Sequence, residues 1–222
     1  IFCYSDKIIN FSLKNKYKII LIHNLLRKEI YEFSKLKSKG IEDTINLLII
    51  GGSQGAKIFD DELKTSILKI SKKYKLKIYQ QTSSDNYKNL ENFYKTNNIE
   101  NTLFDFKENI YDYIFKANLA ISRAGASTLS ELTYFSVPFI AIPYKYAKDD
   151  HQFYNALEYK NKNCCWILEE KKLNQHQIFV LLTNIIKNKD DYLSKKNNLI
   201  KLCSENTWNN INEKIINSIN EN

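Results

Sequence analysis

The chain has 222 residues, of which 43% are hydrophobic, and its apolar runs are far shorter than the roughly 20 residues that span a bilayer. This length and apolar content exclude a disordered chain and predict one good-sized globular domain of the α/β or α+β class. The formal net charge of +8 comes almost entirely from lysine, since only Arg27 and Arg123 of the 33 basic residues are arginines. Because nucleic-acid recognition usually recruits arginine, we interpret the lysines as solvated surface and expect no nucleic-acid partner.

The first 30 residues give one predicted strand, at 17–22, and a connector, which is too little for a domain. The chain begins with Ile1 and contains no methionine. We therefore expect residues 1–30 to be the tail of a missing N-terminal domain and an interdomain linker. Residues 31–222 would form the domain proper.

From about residue 46 onward, short apolar runs rich in β-branched residues alternate with longer amphipathic segments. The predicted strands are 46–50, 76–80, 102–104, 119–122, 138–142 and 164–168. The predicted helices between them are 60–73, 85–97, 110–116, 127–135 and 151–160. This alternation is typical of βαβ units, and nearly continuous apolar runs fit a parallel sheet covered on both faces. The fold class predicted is α/β, with a Rossmann-like, doubly wound parallel sheet.

Beyond about residue 174 the pattern indicates three polar helices. In the last one, at about 205–219, Trp208, Ile211, Ile215 and Ile219 recur at spacings of three and four, which gives an apolar stripe. Two partners remain open for this stripe, namely the chain's own sheet and the missing upstream domain.

The four cysteines show no Cys-x-x-Cys pair and no Cys/His spacing that suits zinc. Cys164 and Cys165 lie in an apolar run that is most simply a buried strand, and we expect reduced thiols of a cytosolic protein. No Asp-x-Asp motif is present, and neither a metal nor a cofactor is expected.

The strand at 46–50 runs directly into Gly-Gly-Ser-Gln-Gly at residues 51–55, after which a helical pattern begins. Glycines at a strand-to-helix turn permit positive φ and let backbone N–H groups approach an anion, and the helix N-terminus adds a favourable dipole. Ligands of open α/β sheets bind at this edge. The turn matches neither Gly-x-Gly-x-x-Gly nor a P-loop. It indicates a phosphate site, with a purely structural tight turn as the alternative.

A second specialised turn is Ser-Arg-Ala-Gly-Ala-Ser-Thr-Leu-Ser-Glu at residues 122–131. Ser127 and Thr128 suit the start of a helix that carries Glu131, so an ordinary capping box is one explanation. A capping box does not need Arg123 in front of it, however. A carboxylate beside a phosphate site can accept both ribose hydroxyls, as an acidic residue does in dinucleotide folds.

The third turn, at residues 143–156, leads from a strand through a polar loop into a helix that begins near His151. Gln152 and Asn155 are three apart on one helical face and suit hydrogen bonding to sugar hydroxyls, whereas a lone histidine there is more often a solvated residue. Three strand ends thus meet at one edge with groups suited to a diphosphate, a ribose and a sugar. This combination predicts a nucleotide-sugar ligand.

These segments resemble the C-terminal half of the MurG family of bacterial glycosyltransferases, from about residue 20 to the C-terminus. The resemblance rests on the turns at 51–56 and 122–131, on Pro-Phe-Ile-Ala-Ile-Pro at 138–143 and on Asp-His-Gln-Phe-Tyr-Asn-Ala at 150–156. It implies the C-terminal domain of a GT-B fold, which holds the donor UDP-GlcNAc. It also implies inverting transfer of GlcNAc to lipid I, giving lipid II for peptidoglycan. The resemblance further implies a peripheral membrane protein on the cytoplasmic face of the bacterial inner membrane.

The resemblance further implies roles for single residues. Arg27 would reach the donor near the domain junction, Ser53 the diphosphate, Glu131 the ribose and Gln152 the GlcNAc hydroxyls, while the backbone at Lys107 would face uracil. The implied donor site is Arg27, Gly52, Ser53, Gln54, Gly55, Lys107, Ala126, Ser127, Thr128, Leu129, Ser130, Glu131 and Gln152, with His151 and Asn155 as further candidates. The family's proposed catalytic base lies in its N-terminal domain, so no catalytic residue is expected here.

The chain departs from the family pattern at three places: Leu25 replaces a proline, Ser83 replaces a glycine, and His151 stands where the family often has glutamine. Three alternatives stay open: a donor-binding subunit that works with a separate acceptor protein, a nucleotide-sugar binding module without activity, and another GT-B or UDP-GlcNAc epimerase relative with a different substrate. The partial strand and linker at 1–30 argue against the subunit. Gln152 and Asn155 favour GlcNAc transfer over the epimerase.

Overall fold

The computed structural model describes residues 1–4, 12–32, 38–52, 57–105 and 110–220. Its strands are β1 (Phe2–Cys3), β2 (Ile20–Leu21), β3 (Thr44–Ile50), β4 (Lys75–Gln81), β5 (Glu100–Phe104), β6 (Leu119–Ser122), β7 (Phe139–Ala141) and β8 (Cys165–Ile167). Its α-helices are α1 (Lys28–Glu32), α2 (Lys57–Glu62), α3 (Lys64–Ser71), α4 (Ser84–Thr96), α5 (Tyr111–Lys116), α6 (Ala126–Tyr134), α7 (His151–Asn161), α8 (Gln175–Lys187), α9 (Lys189–Glu205) and α10 (Trp208–Asn220).

Strands β3 to β8 form a six-stranded, all-parallel sheet in the order β5-β4-β3-β6-β7-β8. The chain builds outward from β3 to β5, crosses back, and builds outward from β6 to β8 on the other side. This is the doubly wound arrangement, and it confirms the predicted fold class. The order reverses between β3 and β6, whose register pairs Ile50 with Ser122. The turns that follow these two residues therefore lie side by side at the carboxyl edge.

The sheet is covered by apolar side chains on both faces. Leu47 and Ile49 of β3 belong to one core cluster and Leu48 and Ile50 to the other, because successive residues of a strand point to opposite faces. Helices α3, α4 and α8 supply the first cluster, and α5, α6 and α9 the second. Burial of each of these leucine and isoleucine side chains stabilises the sheet by roughly 1.5–3 kcal/mol.

Two local predictions differ from the structure. Of the predicted strand at 17–22, only Ile20–Leu21 is a strand, β2, which pairs with β1 in a separate two-stranded sheet. Residues 17 and 18 end a 3₁₀ helix, Leu13–Lys18. The reason is local: a strand needs a partner, and β1 offers only two residues. The predicted helix 60–73 begins earlier and divides into α2 and α3 at Leu63, whose backbone angles stay helical.

The last helix packs on the N-terminal connector at its beginning and is exposed near its end. Ile211 is 1% exposed, and the Trp208 ring meets the Tyr31 ring edge-on at 6.1 Å. Lys214 Nζ donates to the Leu21 carbonyl at 3.3 Å, while Ile219 is exposed. Among the described residues, no helix combines the length and the apolar character needed to cross a membrane.

The cysteines are free thiols. Cys164 and Cys165 are buried where β8 begins, as the apolar run predicts. Burial raises the pKa of the Cys165 thiol to about 12, so this side chain behaves as an apolar core residue.

Candidate functional site

A cleft of about 1010 Å³ lies at the carboxyl edge of the sheet, over the point where the strand order reverses. Its walls come from the connector before α1, the turn after β3, the start of α6, the loop after β7 and the start of α7. Among the predicted site residues, those that line the cleft are Arg27, Gly52, Ala126, Ser127, Thr128, Glu131, His151 and Gln152. The structure therefore brings together residues from all three predicted turns and the connector.

The turn after β3 is held by a side chain from the neighbouring strand. Gly52 has φ +80°, a left-handed conformation that favours glycine. The Gly51 N–H donates to Gln81 Oε1 at 3.1 Å, and Gln81 Nε2 donates to the Gly52 carbonyl at 2.9 Å. Ser53, Gln54 and Gly55 lie outside the described residues, as does Lys107, so their roles stay predictions.

We call the two hydrogen bonds of the Gln81 amide to Gly51 and Gly52 the clamp. A buried polar network lies next to it. The Asp60 carboxylate, 3% exposed, accepts hydrogen bonds from Gln80 Nε2 at 2.7 Å and from Thr82 Oγ1 and Asn86 Nδ2 at 2.8 Å. Gln80 Oε1 in turn accepts from the Tyr94 hydroxyl at 2.5 Å. The network ties the end of β4 to α2 and α4, so both sides of the glycine turn are anchored.

The start of α6 forms the opposite wall. Gly125 is its N-cap, and no side chain caps the helix, so the capping-box explanation for Ser127 and Thr128 is wrong. The first-turn N–H groups and the helix dipole favour an anion at this end. Leu129 and Ser130 belong to the same helix but lie behind the wall: Leu129 is fully buried, and Ser130 Oγ donates to the Ala126 carbonyl at 2.7 Å.

Glu131 and Arg27 form an ion pair inside the cleft. Arg27 Nη2 lies 3.1 Å from Glu131 Oε1, and the Glu131 side chain is 10% exposed against 43% for Arg27. Burial raises the pKa of Glu131, and the charge of Arg27 and its hydrogen bond lower it in part. An ionised carboxylate has two acceptor oxygens, so it can accept further hydroxyl donors besides the guanidinium.

The start of α7 holds the loop after β7 against the end of β6. Gln152 Oε1 accepts from the backbone N–H groups of Ala124, at 3.2 Å, and Tyr144, at 3.0 Å. Asn155 Nδ2 donates to the Ala124 carbonyl at 3.0 Å, and Asn155 does not line the cleft. Gln152 lines the cleft, and its amide NH₂ can donate a hydrogen bond. The exposed His151 has its ring Nδ1 2.8 Å from the Lys148 carbonyl oxygen.

Arg123 and Glu170 line the cleft and form a buried ion pair. Arg123 Nη1 is 2.5 Å from Glu170 Oε2, and both side chains are at most 10% exposed. The guanidinium carbon lies 5.0 Å from the centre of the Phe59 ring and 5.1 Å from the centre of the Tyr144 ring. Glu170 also accepts from the Lys145 N–H at 3.2 Å. Arg123 therefore connects α2, the loop after β7 and the segment after β8. Its partner, 47 positions away, carries no motif signal in the sequence.

An all-parallel, doubly wound sheet with a polar cleft at its reversal point is the architecture of nucleotide-binding α/β domains. The described residues contain no group of three or more His, Cys, Asp or Glu side chains placed to hold a metal ion.

Comparison with known proteins gives the family. Residues 46–213 match the glycosyltransferase family 28 C-terminal domain, and the chain belongs to this family. It is 50% identical over all 222 residues to the UDP-N-acetylglucosamine--N-acetylmuramyl-(pentapeptide) pyrophosphoryl-undecaprenol N-acetylglucosamine transferase of Pelagibacter ubique, and spans 62% of that protein. It is 34% identical over 193 residues to the enzyme of the same name from Rickettsia canadensis, covering 86% of this chain and 54% of that protein.

The fold has a counterpart among solved structures. The crystal structure of Acinetobacter baumannii MurG superposes with a TM-score of 0.68 at 22% sequence identity, over 89% of this chain and 54% of that one. The fold is therefore that of the C-terminal domain of a GT-B glycosyltransferase.

Proposed function

We propose that this chain is the donor-binding part of an inverting hexosyltransferase that moves GlcNAc from UDP-GlcNAc to lipid I, undecaprenyl-diphospho-MurNAc-pentapeptide, and so forms lipid II. The observation that carries the proposal is the cleft at the sheet reversal point, where a glycine turn, a helix N-terminus and the buried carboxylate of Glu131 face one another. The two relatives that carry the name of this transferase support the same substrates.

The diphosphate, the ribose and the sugar of the donor each have a matching group in the cleft. The diphosphate lies between the glycine turn and the start of α6, where backbone N–H groups and the helix dipole favour negative charge. Glu131 accepts the ribose hydroxyls, and the amide NH₂ of Gln152 donates to a GlcNAc hydroxyl. Ser53, Gln54, Gly55 and Lys107 complete the proposed site on the strength of the family resemblance.

In the proposed reaction, the acceptor hydroxyl attacks the anomeric carbon while the bond from that carbon to the diphosphate breaks. The hydroxyl proton goes to a general base, which we place in the part of the enzyme that binds the acceptor. The departing UDP gains negative charge, and groups already aimed at the diphosphate lower the energy of the transition state. Arg27 lies in the connector and pairs with Glu131 of α6, and we propose that it supplies positive charge near the departing UDP.

We propose the inner face of the bacterial plasma membrane as the place of action. Lipid I carries an undecaprenyl chain that stays in the bilayer, whereas a nucleotide-sugar is dissolved in the cytoplasm. The two substrates meet only at the membrane surface, so a peripheral enzyme fits the reaction.

Calorimetric titration of the purified chain with UDP-GlcNAc tests the proposal, with GDP-mannose as the control ligand and circular dichroism to verify folding. We expect selective binding of UDP-GlcNAc and UDP, and no sugar transfer to a lipid I analogue by this chain alone. Equal affinity for GDP-mannose, or no binding of UDP-GlcNAc by a folded sample, would contradict the proposal.

A further inference from the structure

Gln81 occupies an unusual position at the end of the β3–β4 ladder. The register of these strands ends with Ile49 opposite Gln80, so the glycines after β3 lie beyond the last backbone rung. Gln81 is 7% exposed, and its side-chain amide forms hydrogen bonds with the backbone of the turn after β3, beyond this last rung. Its Oε1 accepts from Gly51 N–H at 3.1 Å, and its Nε2 donates to the Gly52 carbonyl at 2.9 Å.

This pairing matters because a double glycine has little conformational preference of its own. Gly52 adopts φ +80°, and an added Cβ at Gly52 would meet no atom within 4 Å, so packing does not fix its backbone. Glycine also loses more conformational entropy on ordering than any other residue. The Gln81 amide supplies the missing constraint on both glycines. It also satisfies the Gly52 carbonyl oxygen, whose partial negative charge would otherwise oppose an anion in the cleft.

Gln81 is itself held in place by its neighbours. Gln80 and Thr82, on either side of it, both donate to the buried Asp60 of α2. The amide therefore projects from a strand end that is fixed to the helix following the glycine turn. Preorganised donors bind a charged group more tightly than mobile ones, because less ordering remains to be done on binding.

We infer that Gln81 is a positioning residue for the diphosphate: it lines the cleft, but both ends of its amide are bonded to the Gly51-Gly52 turn, and it acts by setting the conformation of that turn. This inference rests on the proposed function. Its consequence is selective, because the turn serves the phosphates and leaves recognition of the nucleoside to other parts of the cleft. Loss of the clamp should weaken the binding of phosphate-bearing ligands and leave the binding of the nucleoside unchanged.

The test compares UDP with uridine, which lacks both phosphates, on the wild-type chain and on Gln81→Met, which keeps the side-chain length and removes both hydrogen bonds. Calorimetry measures the affinity for UDP, and chemical-shift titration in NMR spectra measures the affinity for uridine, which binds more weakly. We expect UDP to bind Gln81→Met about tenfold more weakly and uridine to bind within about twofold of wild type. Amide exchange at Gly51 should become faster in the variant, because its N–H loses its acceptor.

Two further variants keep the test decisive. Gln81→Glu retains an acceptor for Gly51 but cannot donate to Gly52 when ionised, and it adds negative charge, so its loss of UDP affinity should exceed that of Gln81→Met. Asn97→Ala, the matched control, removes a side-chain hydrogen bond to the Phe93 carbonyl at the C-terminal end of α4, away from the cleft lining, and UDP affinity should stay at the wild-type value.

The outcomes separate the inference from the function on which it rests. Unchanged UDP affinity in a folded Gln81→Met, or an equal loss for UDP and uridine, would overturn the positioning role alone. Failure of the wild-type chain to bind UDP would overturn the proposed function and the inference with it.

Discussion

Replacement of Glu131 by glutamine should separate the requirements of the site from those of the fold. The carboxylate is nearly buried and has a raised pKa, because its one described charged partner, Arg27, only partly offsets the cost of burial. A folded-state pKa above the unfolded value means that ionising this group destabilises the fold. That destabilisation is present at neutral pH and is absent below the unfolded-state pKa.

The structure gives the expected magnitudes. Glutamine removes the buried charge together with an ion pair whose arginine is 43% exposed and can return to water. These effects oppose each other, so we expect the free energy of unfolding at pH 7 to change by no more than about 1 kcal/mol. UDP binding should weaken by about 1–3 kcal/mol, roughly 5- to 150-fold, because the ribose hydroxyls lose a charged acceptor.

Thermal unfolding and calorimetric titration with UDP measure the two effects on the same sample. Glu158→Gln is the control, since Glu158 is a partly exposed carboxylate of α7 that pairs with Lys162, just beyond the helix, and does not line the cleft. We expect it to leave both quantities unchanged. Unaltered UDP affinity in Glu131→Gln would refute the ribose role. A loss of stability well above 1 kcal/mol would show that the carboxylate is structural instead.

Three further predictions concern other charged and buried groups. Arg27→Met should raise the pKa of Glu131 further, so that UDP affinity, titrated from pH 8 to pH 5, declines at a higher pH than in wild type; a coincident profile would contradict this. Glu170→Gln leaves the buried Arg123 guanidinium without its charged partner and should lower the free energy of unfolding in urea by about 3–5 kcal/mol, against which a loss below 1 kcal/mol would count. The Cys165 thiol, with its pKa raised to about 12, should resist iodoacetamide at pH 8 until urea unfolds the chain, and rapid native labelling would disprove its burial.

Much of the architecture is determined by local sequence. The strand predicted at 119–122 has those bounds in the structure, and the other five strands of the main sheet are predicted to within two residues at each end. Each strand of a parallel sheet is buried on both faces, so its sequence is nearly continuously apolar and is bounded by turn residues. Such runs can be recognised in the sequence without knowing which strand pairs with which. The glycine turn at 51–52 is equally visible, since Gly52 has φ +80°, a conformation that few residues other than glycine adopt. The helix start at Ala126 lies one residue from the predicted start at 127.

The N-terminal segment shows where local pattern is insufficient. Residues 17–22 carry a strand-like composition but form part of a 3₁₀ helix and a two-residue strand. A strand is stabilised by its neighbour, and here the neighbour, β1, is equally short. Composition therefore indicated extended structure without the partner that such structure needs.

The sequence by itself determined the alternation of strands and helices, the three specialised turns and the residue types they carry. Only the tertiary structure decided which side chains meet across those turns. Gln81 reaches Gly51 over 30 positions, Glu131 meets Arg27 over 104, and Asn155 bonds the Ala124 backbone instead of lining the cleft. Periodicity and turn chemistry act between near neighbours in the chain, whereas these contacts follow from strand order, which is set by how the whole sheet is wound.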